Sequence, residues 1–264
     1  MRKIKNKKLL GSLVVAGVLT ALVYLAWPTA SGSVAQTTSQ QSSKTLTTES
    51  SSLNKQQYPV DTASSLWVVV NKGRQLPSIY APADLVVPTV SLRLSASSSE
   101  MRVRADTARA IESMFASAKQ EAVNLMLASG YRSYAAQESV YSGYVKTYGQ
   151  AQADTFSARP GHSEHQTGLA ADIEPLNRHC ELDICFEATP EGQWLAVNAY
   201  QYGFIIRYQK AMQNMTGYQY EPWHIRFVGQ ALAAQLHTNN QTLEQFFNLP
   251  AITDYPAQSF ELKI

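Results

Sequence analysis

Two separated segments, each with a histidine near a carboxylate, most constrain how this 264-residue chain can fold. The first segment contains His165 and Asp172, and the second contains Glu221 and His224. A short apolar run surrounds Asp172, so we expect a strand to carry it, a loop to carry His165, and Gly168 to allow the bend between them. If the four side chains act together, the fold has to bring two distant segments to one place.

Two imidazoles and one carboxylate, from His165, Asp172 and His224, form a ligand set typical of a catalytic zinc ion. This set leaves the fourth tetrahedral position for water, whose pKa zinc lowers towards ~7. Glu221, three residues before His224, could then accept the proton of that water. The residues predict one Zn²⁺ ion, Glu221 as general base, and hydrolysis of an amide. Other divalent ions also bind nitrogen and oxygen ligands, so the metal stays open here.

The first thirty residues predict a membrane anchor. They contain five basic side chains and no acidic one, and an uncharged, mostly apolar run of 19 residues extends from Leu9 to Trp27. At ~1.5 Å per residue this run spans about 28 Å, close to the hydrocarbon thickness of a bilayer. We expect a single-pass cell-membrane protein anchored by residues 1–30, with an extracytoplasmic catalytic domain. The small residues Ser33-Val34-Ala35 leave a cleaved leader and a secreted protein as the alternative.

The remainder divides into a linker and one domain. Residues 31–57 are rich in Ser, Thr and Gln, which predicts a disordered stalk, and residues 58–264 suffice for one hydrophobic core. Without the leader the chain has 17 basic and 20 acidic residues and no basic, aromatic-rich surface, so we expect no nucleic-acid partner. Cys180 and Cys185 are expected to form a small disulfide in an exported chain, with two free thiols as the alternative.

Apolar periodicity predicts an α+β fold with a small, mostly antiparallel sheet covered by helices. The segment Leu66–Val70 predicts a first strand, and apolar positions between Glu100 and Ala128 recur at helical spacing until a buried strand near Leu125. Further strands are expected at residues 169–173, 204–208 and 224–228, and further helices at residues 135–148, 191–202 and 229–237.

Several motifs occur in a defined order along the chain. They are Val70-Asn71-Lys72, Ser129-Gly130-Tyr131-Arg132-Ser133 with Gln137, Pro160-Gly161-His162-Ser163-Glu164-His165-Gln166-Thr167-Gly168, Trp194-Leu195 with Asn198, Tyr202-Gly203-Phe204, and Glu221-Pro222-Trp223-His224 with Val228-Gly229. From about Leu66 to Phe247 the chain resembles the zinc D-alanyl-D-alanine carboxypeptidases of the VanY-like group, which include an L,D-carboxypeptidase branch.

The resemblance implies roles for individual residues. His165, Asp172 and His224 would be the zinc ligands, and Glu221 the general base. Arg132 would bind or polarise the substrate near its scissile bond and terminal carboxylate, because a planar guanidinium pairs with a carboxylate through two hydrogen bonds. Further substrate-binding residues would be Gln137, Ser157, Ser163 and Trp223.

The implied function is a single zinc-peptidase domain, expected to be a monomer, that removes the terminal D-alanine of peptidoglycan stem peptides. The residues of these motifs resemble the L,D-carboxypeptidase branch, which favours L,D-cleavage of the tetrapeptide over D,D-cleavage of the pentapeptide. The alternatives are an endopeptidase that acts on cross-links and a non-catalytic, zinc-retaining module that binds the cell wall. Glu221 argues against the module, which has no need of a general base.

Overall fold

The computed structural model describes residues 53–264, in which short strands and helices alternate. The strands are β1 (Arg74–Gln75), β2 (Leu85–Val86), β3 (Val103–Arg104), β4 (Leu125–Ser129), β5 (Ala170–Pro175), β6 (Phe204–Ile206), β7 (His224–Phe227) and β8 (Phe260–Glu261). The α-helices are α1 (Ala105–Gln120), α2 (Tyr134–Tyr148), α3 (Gln150–Phe156), α4 (Pro190–Asn198), α5 (Gln213–Thr216), α6 (Gln230–Asn239) and α7 (Leu243–Phe246). Single 3₁₀ turns connect several of them, including one at Glu164–Thr167.

The central sheet has four antiparallel strands in the order β4-β5-β7-β6. Two smaller pairs flank it, an antiparallel pair of β2 with β3 and a parallel pair of β1 with β8. In the central sheet, Asp172 on β5 lies opposite His224 on β7 and also next to Ser129 on β4. The predicted α+β class, with a small and mostly antiparallel sheet, is therefore confirmed.

Helices supply the apolar surfaces that cover this sheet. One face of α1, including Ile111 and Met114, packs with Leu127 and Ile173 of the sheet. A second cluster joins α6 and α7 to Trp67. Full burial of a large apolar side chain contributes about 1.5–3 kcal/mol, so these clusters hold the sheet rigid beneath the residues that it presents.

The strand predicted at Leu66–Val70 is wrong, although this segment is buried. Several of its carbonyl groups bond to arginine side chains instead of a neighbouring strand. Arg226 donates to Leu66 and Val68, and Arg74 donates to Val69. The alternating apolar pattern is satisfied because odd and even side chains enter different apolar clusters, without strand pairing.

The single-pass membrane location predicted from the leader is corrected. Among residues 53–264, no helix is both long and apolar enough to cross a bilayer. The proposed anchor at residues 1–30 and most of the proposed stalk lie outside the described residues, so the boundaries predicted there stay predictions.

Candidate active site

A tight turn and a strand carry the first predicted segment. The Glu164–Thr167 turn ends at Gly168, whose φ of 65° lies in the left-handed region, and the chain then enters β5. A Cβ atom at Gly168 would lie 2.9 Å from a Leu85 methyl carbon. Glycine therefore suits this position, because it adopts the left-handed backbone conformation easily and has no Cβ atom to clash with Leu85. The bend brings His165 beside Asp172, as the sequence predicts for a loop and a strand.

A second turn precedes β7. The N–H of His224 donates to the carbonyl of Glu221 at 3.3 Å, which folds the Glu221 side chain back towards the histidine ring. Oε2 of Glu221 lies 3.7 Å from Nδ1 of His224. The three-residue spacing therefore places a carboxylate beside the imidazole instead of further along the strand.

His165, Asp172 and His224 converge as the ligands of one metal ion would. All three are buried, and their ligand atoms lie within 4.8 Å of one another. Nε2 of His165 is 3.3 Å from Oδ2 of Asp172, and Nδ1 of His224 is 3.2 Å from Oδ1. Zinc bonds of ~2.0–2.1 Å at tetrahedral angles separate neighbouring ligand atoms by about 3.3 Å. Each histidine lies at about this distance from one oxygen of Asp172, and Oδ1 of Asp172 is buried without a hydrogen-bond partner, so the donor set fits zinc.

The two imidazoles face this point through different nitrogens. Nδ1 of His165 lies 2.6 Å from the carbonyl oxygen of Gly130, which can only accept, so Nδ1 carries the proton and Nε2 is free for a metal. His224 presents Nδ1 instead, and its Nε2 points to Glu164 at 3.6 Å. The backbone and a buried carboxylate thus set the two ring orientations.

Burial and neighbouring charges alter the proton affinities of the site. Burial alone would raise the pKa of Asp172, but His165 and His224 hold it well below its usual range. Burial alone would lower the pKa of His224, yet the carboxylates of Asp172 and Glu164 outweigh this and raise it to about 9. Burial raises the pKa of Glu221 to about 8, and the nearby Asp172 carboxylate adds to the rise. Glu221 is therefore a stronger base than an ordinary glutamate.

Arg132 lies next to these residues at the start of α2. Its Nη1 donates to Oε1 of Gln137 at 3.0 Å, and its Nη2 donates to Oγ of Ser129 at 2.9 Å. The amide of Gln137 is itself anchored, because its Nε2 donates to the carbonyl of Ala158 at 2.7 Å. Two of the five guanidinium N–H groups are used in these bonds, which leaves donors for a ligand.

One cleft of about 220 Å³ contains every predicted catalytic, metal-binding and substrate-binding residue. They are Arg132, Gln137, Ser157, Ser163, His165, Asp172, Glu221, Trp223 and His224. The wall of the cleft also contains apolar and aromatic side chains that the sequence does not predict, which are Val140, Tyr144, Phe156, Tyr208 and Tyr218. Tyr208 is the last residue of the strand predicted at residues 204–208, which in the structure ends at Ile206, and its place at the end of that strand was the available signal for it.

The loop between the two cysteines reaches this cleft through Leu182. Their sulfur atoms are bonded to each other and close a short loop. Glu181 of the same loop pairs with Arg93 and Arg178, so the loop is fixed to the body of the domain by charge as well.

Metal uptake by this site is expected to release protons. At about pH 7 His224 is cationic without metal, because its pKa of about 9 lies above the solution pH, and a histidine must be neutral to bind zinc. Zinc affinity should therefore rise roughly tenfold per pH unit between about pH 6 and 8, with at least about one proton released per ion. Calorimetry in two buffers of different ionisation enthalpy measures this release. An affinity independent of pH over that range would contradict the assignment of His224.

Comparison with known proteins gives the chain a family. A family profile described as "VanY: D-alanyl-D-alanine carboxypeptidase" matches residues 100–230. YodJ of Bacillus subtilis, an inferred carboxypeptidase, is 41% identical over 188 residues, which cover 71% of this chain and 69% of YodJ.

Solved structures agree with this match. The LD-carboxypeptidase LdcB has a TM-score of 0.68 at 41% identity, over 70% of this chain and 87% of that protein. A mutant of the vancomycin-resistance D,D-pentapeptidase VanY, solved in complex with Zn(II), has a TM-score of 0.58 at 29% identity, over 70% of this chain and 99% of that protein. The chain therefore belongs to the VanY family of D-alanyl-D-alanine carboxypeptidases.

Proposed function

We propose that this protein is a zinc-dependent carboxypeptidase that removes the terminal D-alanine of peptidoglycan stem peptides, with L,D-cleavage of the tetrapeptide as its main activity. The observation that carries the proposal is the convergence of His165, Asp172 and His224 in one cleft with Glu221 and Arg132. Three protein ligands suit a catalytic zinc ion, which keeps one position open.

Each of these residues has a distinct role in the proposal. His165 and Asp172 from the first segment and His224 from the second hold the ion. A bound zinc ion supplies Lewis-acid polarisation of a carbonyl group and makes water more acidic. Glu221 would take a proton from the attacking water and return it to the leaving amine.

Arg132 is proposed to bind the terminal carboxylate of the peptide. Its unused N–H groups lie in the cleft, and a guanidinium forms two parallel hydrogen bonds with a carboxylate. Gln137 and Ser129 would keep the guanidinium oriented, while Ser157, Ser163 and Trp223 line the binding surface. Because only the last residue of a peptide has a free α-carboxylate, pairing with Arg132 would direct cleavage to the C-terminal residue.

Sequence identity to two solved structures supports the proposed preference for the tetrapeptide. The LD-carboxypeptidase LdcB shares 41% identity with this chain, whereas the D,D-pentapeptidase VanY shares 29%. The loop that contains Leu182 and the cysteines adds an apolar contact at the cleft rim, where it can contribute to the choice between peptides.

The test follows D-alanine release from defined muropeptides by mass spectrometry. The full chain is incubated with the tetrapeptide, the pentapeptide and a tetrapeptide whose terminal carboxylate is amidated, each with and without a chelator. We expect chelator-sensitive release of D-alanine from the tetrapeptide and no release of D-alaninamide, the corresponding product, from the amidated peptide, since its neutral terminus cannot form an ion pair with Arg132. Release from the pentapeptide alone would overturn the L,D assignment. Internal fragments without free alanine would indicate an endopeptidase, and zinc binding without any product would indicate a binding module.

A further inference from the structure

Four charged side chains form a buried cluster directly behind the metal-binding residues. They are Glu164 on the Glu164–Thr167 turn, Arg207 after β6, Arg226 on β7 and Glu244 on α7, and each side chain has a relative exposure of 0%. The sequence does not predict this cluster, because charged residues are seldom fully buried and the four are spread along the chain. The available signal in the sequence was an arginine within or next to each of two apolar strands, Arg207 directly after β6 and Arg226 inside β7.

The two carboxylate oxygens of Glu164 have different surroundings. Oε1 accepts hydrogen bonds from Nε of Arg207 and Nη1 of Arg226, both at 2.8 Å. Oε2 is buried, has no hydrogen-bond partner and lies 3.6 Å from Nε2 of His224. Nε2 of His224 is likewise buried without a partner. A carboxylate oxygen accepts and an imidazole N–H donates, so each of these two atoms is the hydrogen-bond partner that the other lacks.

Fold stability alone does not account for this arrangement. A buried charge with a partly unsatisfied carboxylate costs free energy, and apolar residues of similar volume usually pack as well or better. Metal-binding histidines, in contrast, commonly donate their second N–H to a carboxylate, which fixes the ring and increases its affinity for the metal. Oε2 of Glu164 faces Nε2 of His224 across 3.6 Å, so a shift of about half an ångström would form the hydrogen bond of that second arrangement.

We propose that Glu164 is a positioning residue that fixes the His224 ring through Nε2 and so aims Nδ1 at the metal, while Arg207 and Arg226 hold the carboxylate in place. This inference rests on the zinc dependence proposed above. Glu164 is not itself one of the three proposed ligands, and in this proposal it acts on the metal through His224.

The cluster extends this positioning beyond the matched family segment. Arg207 also binds Glu244, with Nη2 to Oε1 at 2.6 Å and Nη1 to Oε2 at 3.1 Å. Asn71 donates to the same carboxylate at 3.2 Å. The family match ends at residue 230, so α7 and the segment around Asn71, both outside it, take part in orienting a metal-binding residue within it.

The test compares zinc binding by the parent chain and by Glu164→Gln, which keeps the size of the side chain and removes its charge. Zinc affinity is measured by competition with a chromogenic chelator, and the visible spectrum of the cobalt-substituted protein reports the ligand geometry. We expect Glu164→Gln to bind zinc about 10- to 100-fold more weakly and to show an altered cobalt spectrum, with its fold intact by circular dichroism. Equal affinity with an unchanged spectrum would overturn the role of Glu164 alone, whereas a parent chain that binds no zinc would overturn the proposed function as well.

Glu174→Gln is the matched control. Glu174 is also fully buried and paired with an arginine, Arg93, at 3.2 Å, but it contacts no histidine, so its variant should keep the zinc affinity of the parent. If Glu164→Gln does not fold, imidazole NMR of the zinc-loaded parent decides the question. A strongly downfield, hydrogen-bonded proton on Nε2 of His224 supports the proposal, and the absence of such a proton overturns it.

Discussion

Replacing Glu221 by alanine is expected to lower kcat by about 10²- to 10⁴-fold, the usual contribution of a general acid or base, and to leave zinc bound. The three proposed ligands do not include Glu221, whose Oε2 lies 3.7 Å from Nδ1 of His224. The proton-accepting group would therefore be lost from an otherwise complete site. Release of D-alanine at saturating tetrapeptide gives kcat, and metal analysis of the same sample gives the zinc content.

A control variant separates this effect from a general loss of negative charge near the cleft. Glu138→Ala removes an exposed carboxylate on α2, beside Gln137 in sequence, and should keep the parent rate. A Glu221→Ala enzyme with a nearly normal rate would show that another group accepts the proton. A variant that loses both zinc and activity would instead make Glu221 part of the metal site.

Asp172→Asn is expected to weaken zinc binding by roughly two to three orders of magnitude. Structural zinc sites with four ligands bind with about 10–16 kcal/mol, or roughly 2.5–4 kcal/mol for each ligand. The substitution keeps the shape of the side chain but removes the charge that lies between the imidazoles of His165 and His224. Activity should fall with zinc occupancy and return in part when excess zinc is added. Chelator competition measures the affinity.

Asp154→Asn provides the comparison for this variant. Asp154 is a partly buried carboxylate that pairs with Arg159 at 2.7 Å, outside the metal-binding group. Its variant can lose some stability but should bind zinc as the parent does. Unchanged zinc affinity in Asp172→Asn, with the fold intact, would remove Asp172 from the proposed ligand set.

The sequence predicts the elements around the site well, because their patterns are local. The helix expected at residues 135–148 corresponds to α2, and the strand expected near Leu125 corresponds to β4. The helical pattern beginning at Glu100 extends too far, since α1 starts only at Ala105, after a 3₁₀ turn and the short strand β3. The strand expected at Leu66–Val70 fails because side chains of distant arginines take its carbonyl groups, and no local pattern contains that information.

The sequence predicts which residues form the site, but it does not predict how the two histidine rings are oriented. Histidines and carboxylates in two short motifs identify the residues that converge in the cleft. The orientation of each ring depends on more distant partners, the carbonyl of Gly130 for His165 and the carboxylate of Glu164 for His224. The first partner is a backbone atom and the second is anchored by Arg207 and Arg226, so only the tertiary structure reveals these contacts.

Because Asp172 on β5 lies opposite His224 on β7, the proposed metal centre can form only when these two strands pair in the observed register. Side chains alternate between the two faces of a strand, so a slip of one residue would turn one of these groups away from the other. A misaligned chain would lack the site and gain nothing from the ion. A ligand present at 100 times its dissociation constant stabilises the state that binds it by about 2.7 kcal/mol. A bound metal ion would therefore stabilise only the state in which β5 and β7 are paired in the correct register.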